Sequence, residues 1–500
     1  MSHSLPSDVF PLGIATKILF DDNAITAVSS DFGGIIVGRR PLGVFCPWSE
    51  DDIVQLVRSA YESPKPFSIT ARGRGHSDSG QSVSTGGITI DMRSLATGAQ
   101  RIRIRVSSEN GYSPYVDVGA EQLWSEVMLE TLKNGLSPRT LLDYMDLTVG
   151  GTLSVGGLSG QAFRYGPQVR NVHELDVITG KGELVTCSKK HNSDLFFSAL
   201  GGLGQFGIIT RARIALQPAP TKVKWVGLVY TDFEAFTGDE EYLITLDGTT
   251  GKKKGFNYIE GFVFLDHNQV SSPFFSDEEV AKISAVTSEH GGAYFIEGAI
   301  YYSDDTAFTI DQEVESILEG LHYTKGFKFI RELSYTGFVD RVQCEEEKLR
   351  RVGLWDIPHP WLNLLVPKSR IHDFHEGVFK GVFKQGNTMG VILIYPLGKN
   401  KWDERMSLVF PEEEVFYKIG LLLSSFPVNL GCVLRQRDEV LRFCEKNKIE
   451  AKQYLPHYKK IEDWMKHFGS KWDRFVEMKK KYDPKAILAP GQCIFSSPLV

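Results

Sequence analysis

The stretch Ala71-Arg-Gly73-Arg-Gly75-His76-Ser77-Asp-Ser-Gly80-Gln81 decides how the chain is read. Just before it, Phe67, Ile69 and Ala71 alternate with polar neighbours as a strand does, and that strand runs straight into the glycines. Glycine clusters again at Gly150, Gly151, Gly156, Gly157, Gly160 and Gly166, and once more at Gly201, Gly202, Gly204 and Gly207. Lacking Cβ, glycine lets backbone N–H groups reach φ > 0 and close on an anion such as a pyrophosphate. One cluster alone favours tight turns in a β-rich domain. Three clusters leave that alternative level with a large phosphate-bearing ligand held by backbone. Gly202-Leu-Gly204-Gln-Phe-Gly207 has the G-x-G-x-x-G spacing, but a dinucleotide fingerprint needs a strand before it and a helix after it. Here residues 194–200 read as helix and 208–214 as strand, the reverse order. No G-x-x-x-x-G-K-[ST] occurs either, so a P-loop NTPase is excluded.

Around these loops lies an ordinary globular composition. The 500 residues are 42% apolar and 24% charged, enough for two to four domains and unlike a disordered or fibrous chain. No apolar run approaches the roughly 18 residues of a bilayer span. The net charge of −6 indicates no nucleic-acid partner. The basic triplets Lys252-Lys253-Lys254 and Lys479-Lys480-Lys481 are short, and Arg101-Ile-Arg103-Ile-Arg105 reads as the wet face of an edge strand. The six cysteines form no C-x-x-C, so neither a zinc knuckle nor a disulfide scaffold is expected. Residues 1–20 hold no basic start followed by an apolar block, and no N-x-[ST] acceptor occurs. As it stands the chain is expected to be cytosolic; a trimmed export signal would make it extracellular or vacuolar.

Ser49, with Asp52 three residues on, marks a helix N-terminus, and Ile53, Leu56, Val57, Ala60 and Tyr61 share one face until Pro64 and Pro66. Residues 88–92, 115–118 and 208–216 read as strands, residues 123–132 as a helix stopped by Gly135, and residues 172–185 as a hairpin around Thr179-Gly-Lys-Gly182. Leu216-Gln-Pro-Ala-Pro220 reads as a linker. Beyond it aromatics rise, glycines thin, and residues 311–322 and 369–383 look helical. The tail from Tyr454 holds two helical stretches, then Asp483-Pro484 and Ala489-Pro-Gly-Gln492.

With these blocks assembled, the chain resembles the plant cytokinin dehydrogenases, members of the vanillyl-alcohol-oxidase-type flavoproteins. The resemblance rests on Ala71-Arg-Gly-Arg-Gly-His-Ser77, Asp143-Tyr-Met-Asp-Leu-Thr148, Gly160-Gln-Ala-Phe-Arg-Tyr-Gly-Pro167, Gly201–Arg211, Tyr258-Ile-Glu-Gly-Phe-Val-Phe264, His359-Pro-Trp-Leu-Asn363, Tyr454-Leu-Pro-His-Tyr458 and Pro490-Gly-Gln492. Gly-His-Ser alone marks only the wider flavoprotein class; the Tyr258 and His359 blocks narrow it. The resemblance implies an α+β, two-domain fold: a PCMH-type FAD-binding domain over residues 1–218, an inserted α+β cytokinin substrate domain over 219–454, and a segment over 455–500 returning to the FAD domain. It implies oxidation of N6-isoprenoid adenines, isopentenyladenine or zeatin-type, to adenine and an unsaturated aldehyde, in a monomer reoxidised by a quinone or by oxygen.

Residue by residue, the resemblance implies that His76 is joined covalently to the flavin 8α-carbon; position alone would favour a turn-capping histidine. A neutral imidazole is a competent nucleophile for that bond. Ser77 and Gln81 would bond the flavin, with Arg72, Gly73, Arg74, Gly75, Thr148, Ser154, Val155, Gly156, Gly157, Leu158, Ile209, Tyr454 and Gln492 at matching flavin positions. Asp78-Ser79 departs from the small or amide-bearing pair expected there. Ala489 stands where the family commonly has serine, a loss of about 1 kcal/mol that a covalent tether absorbs.

Asp143 sits among Leu141, Leu142 and Met145. Composition favours a cap, but buried without a full set of donors it would suit a general base near neutral pH. The resemblance makes it the acceptor of the substrate's side-chain N–H; Asp146, one repeat on, does not align. Glu260 is a lone acid in an apolar strand, either on the solvent side of an edge or, by resemblance, on the purine. Trp361, Asn363 and Leu455 would line a flat slot. His372-Asp-Phe-His375-Glu376 lacks H-E-x-x-H and reads as a solvated helical face, not a metal site. Two rivals stand beside the main expectation. An aldonolactone or carbohydrate oxidase of the same superfamily would need polar groups where Trp361, Leu364 and Leu455 stand. A catalytically dead hormone-binding flavoprotein would not need Asp143 and His76.

Overall fold

The computed structural model describes residues 11–97, 101–106, 114–246, 255–384, 389–495 and 497–499. The Lys252-Lys253-Lys254 triplet and residues 1–10 lie outside them. Ser49 builds the predicted cap: its hydroxyl accepts the Asp52 N–H at 3.3 Å and Asp52 Oδ2 accepts the Ser49 N–H at 3.1 Å, starting the Glu50–Glu62 helix. Ile53, Leu56, Val57 and Ala60 are buried against a four-stranded sheet ordered Ile18–Leu19, Gly43–Phe45, Ile88–Asp91, Ile69–Arg72, its last three strands parallel.

A second sheet, antiparallel, runs Ile102–Arg105, Tyr115–Gly119, Ile208–Pro218, Val172–Ile178, Leu184–Ser188. Arg103 and Arg105 project to solvent from its edge, as their alternation predicts. Arg101 does not. It donates to Glu50 at 2.7 Å, Glu121 at 3.3 Å and the Thr210 carbonyl at 3.0 Å, tying this sheet to the first helix. The reversed setting of the third glycine cluster holds: Ser193–Ala199 is helical before it and Ile208–Pro218 is a strand after it.

The linker expectation fails. The strand continues through Leu216, Gln217 and Pro218, which pair with Pro138, Ser137 and Leu136. Each proline sits opposite a residue at the end of a short pairing, where a missing N–H is tolerated. The strand Lys222–Tyr230 follows almost at once and enters an eight-stranded antiparallel sheet ordered Lys328–Ser334, Lys222–Tyr230, Ala293–Tyr302, Tyr258–Phe264, Gly390–Gly398, Val415–Leu423, Leu362–Pro367, Lys452–Tyr454. Parallel and antiparallel sheets with helices laid on them make the fold α+β.

The stretch 369–383 is helical but irregular, passing from Ile371–Phe374 into a widened π-helical turn over His375–Val382. His375 is buried there, stacked 3.9 Å from Phe233 with Nε2 2.6 Å from the Tyr294 hydroxyl. The solvated face therefore comprises His372 and Glu376 but excludes His375. Among the described residues no helix is long and apolar enough to cross a membrane.

After the helices Ile461–Phe468 and Trp472–Tyr482 the tail returns to the first sheet, where the Ile69 N–H donates to the Ile487 carbonyl at 2.8 Å and the Ala489 N–H to the Ile69 carbonyl at 3.1 Å. Lys479 Nζ, fully buried, donates to Asp483 at 2.7 Å and to the Gln205 carbonyl at 3.0 Å. Asp483 also accepts the N–H groups of Ile487 and Leu488. These bonds hold Ala489 and Gln492 beside the third glycine cluster.

Candidate active site

The three glycine clusters, the tail and the face of the eight-stranded sheet enclose one cavity of about 1010 Å³. That is the upper end of the roughly 300–1,000 Å³ range of small-molecule clefts. Its wall includes every residue that the resemblance assigns to flavin or substrate except Arg72 and Gly156, and it excludes Asp146 and Leu364. Arg72 instead bonds Ser82, and its guanidinium packs under Gly75, whose φ of +67° only glycine adopts without strain. Leu364 faces the core because side chains alternate along Leu362–Pro367, with Asn363 turned to the cavity. Asp146 accepts from Ser125 at 2.7 Å.

His76 stands where the glycine loop leaves the sheet. Its ring stacks 3.9 Å from Phe32, which in turn stacks 4.1 Å from His359. Tyr144 and Trp361 close the sides at 5.0 and 5.7 Å. Burial, then the neighbouring His359 and Arg74, push the imidazole down to about 3, so it is neutral at physiological pH. Among the described residues neither ring nitrogen has a hydrogen-bond partner. Ser77 and Gln81 are engaged locally. The Ser77 hydroxyl donates to Asp31 at 2.7 Å, and the Gln81 amide joins the Ser79 N–H at 2.8 Å to Asp78 at 3.1 Å. One Gln81 N–H is left for a ligand. The unexpected Asp78 is thus a partner of Gln81.

The second cluster follows Thr148, whose hydroxyl lies so close to Gly73 that a Cβ there would come within 2.2 Å. The Gly157 N–H donates to the Tyr454 hydroxyl at 3.0 Å, joining this cluster to the last strand of the large sheet.

Asp143 lies on a loop, half-buried, with Oδ1 accepting the Tyr258 hydroxyl at 2.8 Å and Arg341 Nη2 at 3.3 Å. Both donors reach Oδ1, so among the described residues the half-buried carboxylate has an incomplete set of donors at Oδ2. Glu260 is buried in an interior strand, so the solvent-side alternative fails. Burial first, and the Asp143 charge second, push its carboxyl well above the usual range. Glu260 Oε1, Trp361 Nε1 and Gln492 Oε1 are all buried at this cavity with no partner, which marks a surface shaped for polar ligand atoms. A neutral imidazole with unused nitrogens, glycine backbone at two loops and these orphaned atoms fit a flavin dinucleotide. Among the described residues no cluster of His, Cys, Asp and Glu could hold a metal.

Comparison with known proteins agrees. Residues 41–188 match the model "FAD binding domain", and residues 220–495 match "Cytokinin dehydrogenase 1, FAD and cytokinin binding". A cytokinin dehydrogenase 6 of Oryza sativa subsp. japonica is 50% identical over 99% of this chain and 95% of its own. The chain belongs to the cytokinin dehydrogenase family. A cytokinin dehydrogenase 5 of Arabidopsis thaliana is 48% identical over 95% of this chain and 88% of its own. In structure, a VAO-type flavoprotein of Myceliophthora thermophila C1 superposes with a TM-score of 0.68 over 94% of this chain and 85% of its own at 15% identity, which fixes the vanillyl-alcohol-oxidase-type fold. This family member binds FAD and is an FAD-dependent oxidoreductase.

Several cavity residues escaped the sequence reading. Phe32 and Trp355 carry no motif. Arg341 and Glu297 lie far from the glycine loops. Lys418 could have been found, because it is a lone lysine in the apolar strand Val415–Leu423, the same signal that drew attention to Glu260.

Proposed function

We propose that this family member oxidises the amine–CH₂ bond of N6-isoprenoid adenines, with Asp143 accepting the proton from the substrate N–H and Glu260 bonding the purine. One observation supports this above others: Asp143, Glu260 and His76 come from three distant segments and face one cavity. FAD, when bound, supplies the hydride acceptor, and we take His76 to be its point of covalent attachment at the 8α-carbon. The Tyr258 hydroxyl and Arg341 orient the Asp143 carboxylate toward a substrate nitrogen. Trp361 and Leu455 exclude water and hold the apolar part of the substrate, which disfavours a carbohydrate substrate. The oxidised imine then hydrolyses to adenine and an unsaturated aldehyde.

The flavin contacts assigned to Gly73, Thr148, Ser154, Val155, Gly157, Leu158, Ile209, Tyr454 and Gln492, and the division at 218/219 and 454/455, belong to the same proposal. The three separate sheets and the docking of the tail beside Gly204 support that division. We take the electron acceptor to be a quinone, with oxygen slower, and the chain to act as a monomer. The six cysteines, all unpaired, support a reducing compartment such as the cytosol. Anaerobic addition of isopentenyladenine to the purified yellow protein tests the reading. Bleaching is expected. Persistent colour would leave a hormone-binding protein without chemistry, and bleaching by an aldonolactone alone would move the substrate to sugars.

A further inference from the structure

Lys418 is buried, yet it belongs to the cavity wall. It lies in one row across the large sheet. Glu297 pairs with Glu260, and Tyr395 pairs with Lys418; the Phe262–Leu393 register places Glu260 opposite Tyr395. Residues opposite one another in a sheet project to the same side. Glu260 and Lys418 therefore flank Tyr395 from two strands apart, about 10 Å between backbones. Both side chains are long enough to reach toward one ligand lying over the tyrosine. Gly420 leaves the room Lys418 needs, since a Cβ there would come within 2.4 Å of Nζ.

Lys418 Nζ donates to Asn363 Oδ1 at 2.8 Å. An ammonium has donors only, so it fixes the amide's direction: the carbonyl faces Lys418 and the NH₂ faces away. Two further ammonium hydrogens and the Asn363 NH₂ remain. At the other end of the row Glu260 offers an unpartnered oxygen. The row thus presents donors at one end and a carboxyl at the other, a pattern that a purine edge, with ring N–H and ring N acceptors, can match.

We propose that Lys418, with Asn363 held by it, is a specificity-determining contact to one ring-nitrogen acceptor of the substrate's purine. This rests on the proposed adenine substrate. The test measures KM and kcat for N6-isopentenyladenine and its 1-deaza, 3-deaza and 7-deaza analogues, in which one acceptor nitrogen becomes C–H. In the unaltered enzyme one analogue is expected to raise KM about tenfold or more, the loss of a hydrogen bond to a charged donor. In Lys418→Met, KM for the parent rises by about the same factor with kcat changed less than about threefold, and the penalty for that analogue disappears. If no deaza analogue is penalised in the unaltered enzyme, the proposal is wrong whether or not the variant folds. A penalty of the same size in Lys418→Met also overturns it. Failure of isopentenyladenine itself to reduce the unaltered enzyme would instead sink the substrate reading beneath it.

Discussion

Arg341 Nη2 stands 3.3 Å from Asp143 Oδ1 and 3.3 Å from Glu297 Oε2, so one guanidinium serves two carboxylates. It also donates to the Tyr258 hydroxyl and packs 4.5 Å over the Phe338 ring. Burial raises the Glu297 and Glu260 carboxyls, and Arg341 opposes that rise in both. Removing the guanidinium lets both climb further, so each takes up a proton at a higher pH. Arg341→Met is expected to move the acid limb of kcat/KM upward and to cost about 3–5 kcal/mol of stability, as for a buried pair stripped of one partner. Arg341→Lys restores the cation without the fork and should recover part of both. A pH profile of Arg341→Met that overlies the parent's would show that Arg341 only fills space.

The proton role of Asp143 is separable from that scaffold. Asp143→Asn keeps an acceptor oxygen for the Tyr258 hydroxyl but removes the base. Anaerobic stopped-flow should show flavin reduction slowed by about 100-fold or more. Reduction at the parent's rate would transfer the proton to another group.

His76 makes a prediction in pH. An ordinary imidazole loses its nucleophilic form below about 6.5. This one, at about 3, stays neutral well into the acid range. Apoprotein incubated with FAD at pH 5.5 and at pH 8 should reach the same fraction of colour retained in an acid pellet. His76→Gln should retain none. Colour in the supernatant from the parent enzyme would remove the covalent link.

Much of this was legible because local rules carried it. The Ser49 cap, the Thr179-Gly-Lys-Gly182 hairpin and the helix–glycine–strand order at Gly202 depend on residues within a few positions of one another. The linker was misread because Pro218 near a chain-class boundary looks the same whether or not a distant strand pairs with it, and here Leu136–Pro138 does. His375 was misread because it lies on the regular buried stripe with Ile371, Phe374, Val378 and Phe379, where a histidine's polarity suggests solvent instead. The site's charge balance was invisible for a related reason. Asp143 and Arg341 are 198 positions apart, and only the fold places a cation where the sequence offered an unaccompanied acid.

His467 tests the tail's stability. It is buried between Trp464 and Phe468, and burial pushes it down to about 3. As pH falls below 6.5 the unfolded chain takes up a proton that the folded chain refuses, so stability is lost on the way down toward 3. Below pH 6 the slope this residue adds approaches about 1.4 kcal/mol per pH unit. Urea titrations of the parent and His467→Gln between pH 4.5 and 7 should differ by that slope, with the variant flatter. Parallel curves would mean the folded protein protonates His467 freely.

The pair Lys479–Asp483 should behave differently from either of its members. Both side chains have no exposed surface, and their bond closes the turn that sets Ala489 and Gln492 at the cavity. Lys479→Met leaves Asp483 a buried anion with only backbone donors, a loss of about 3–5 kcal/mol. Asp483→Asn leaves Lys479 with the Gln205 oxygens at 3.0 Å and weakens the grip on the Ile487 and Leu488 N–H groups. The double variant removes both charges at once, so it should be more stable than the sum of the singles predicts, with a coupling of about 1–3 kcal/mol. The fraction of apoprotein that takes up flavin on reconstitution should fall in the same order, because the segment that loosens is the one bearing Gln492. Additive losses in stability with no change in flavin uptake would mean that the tail holds its course without this pair.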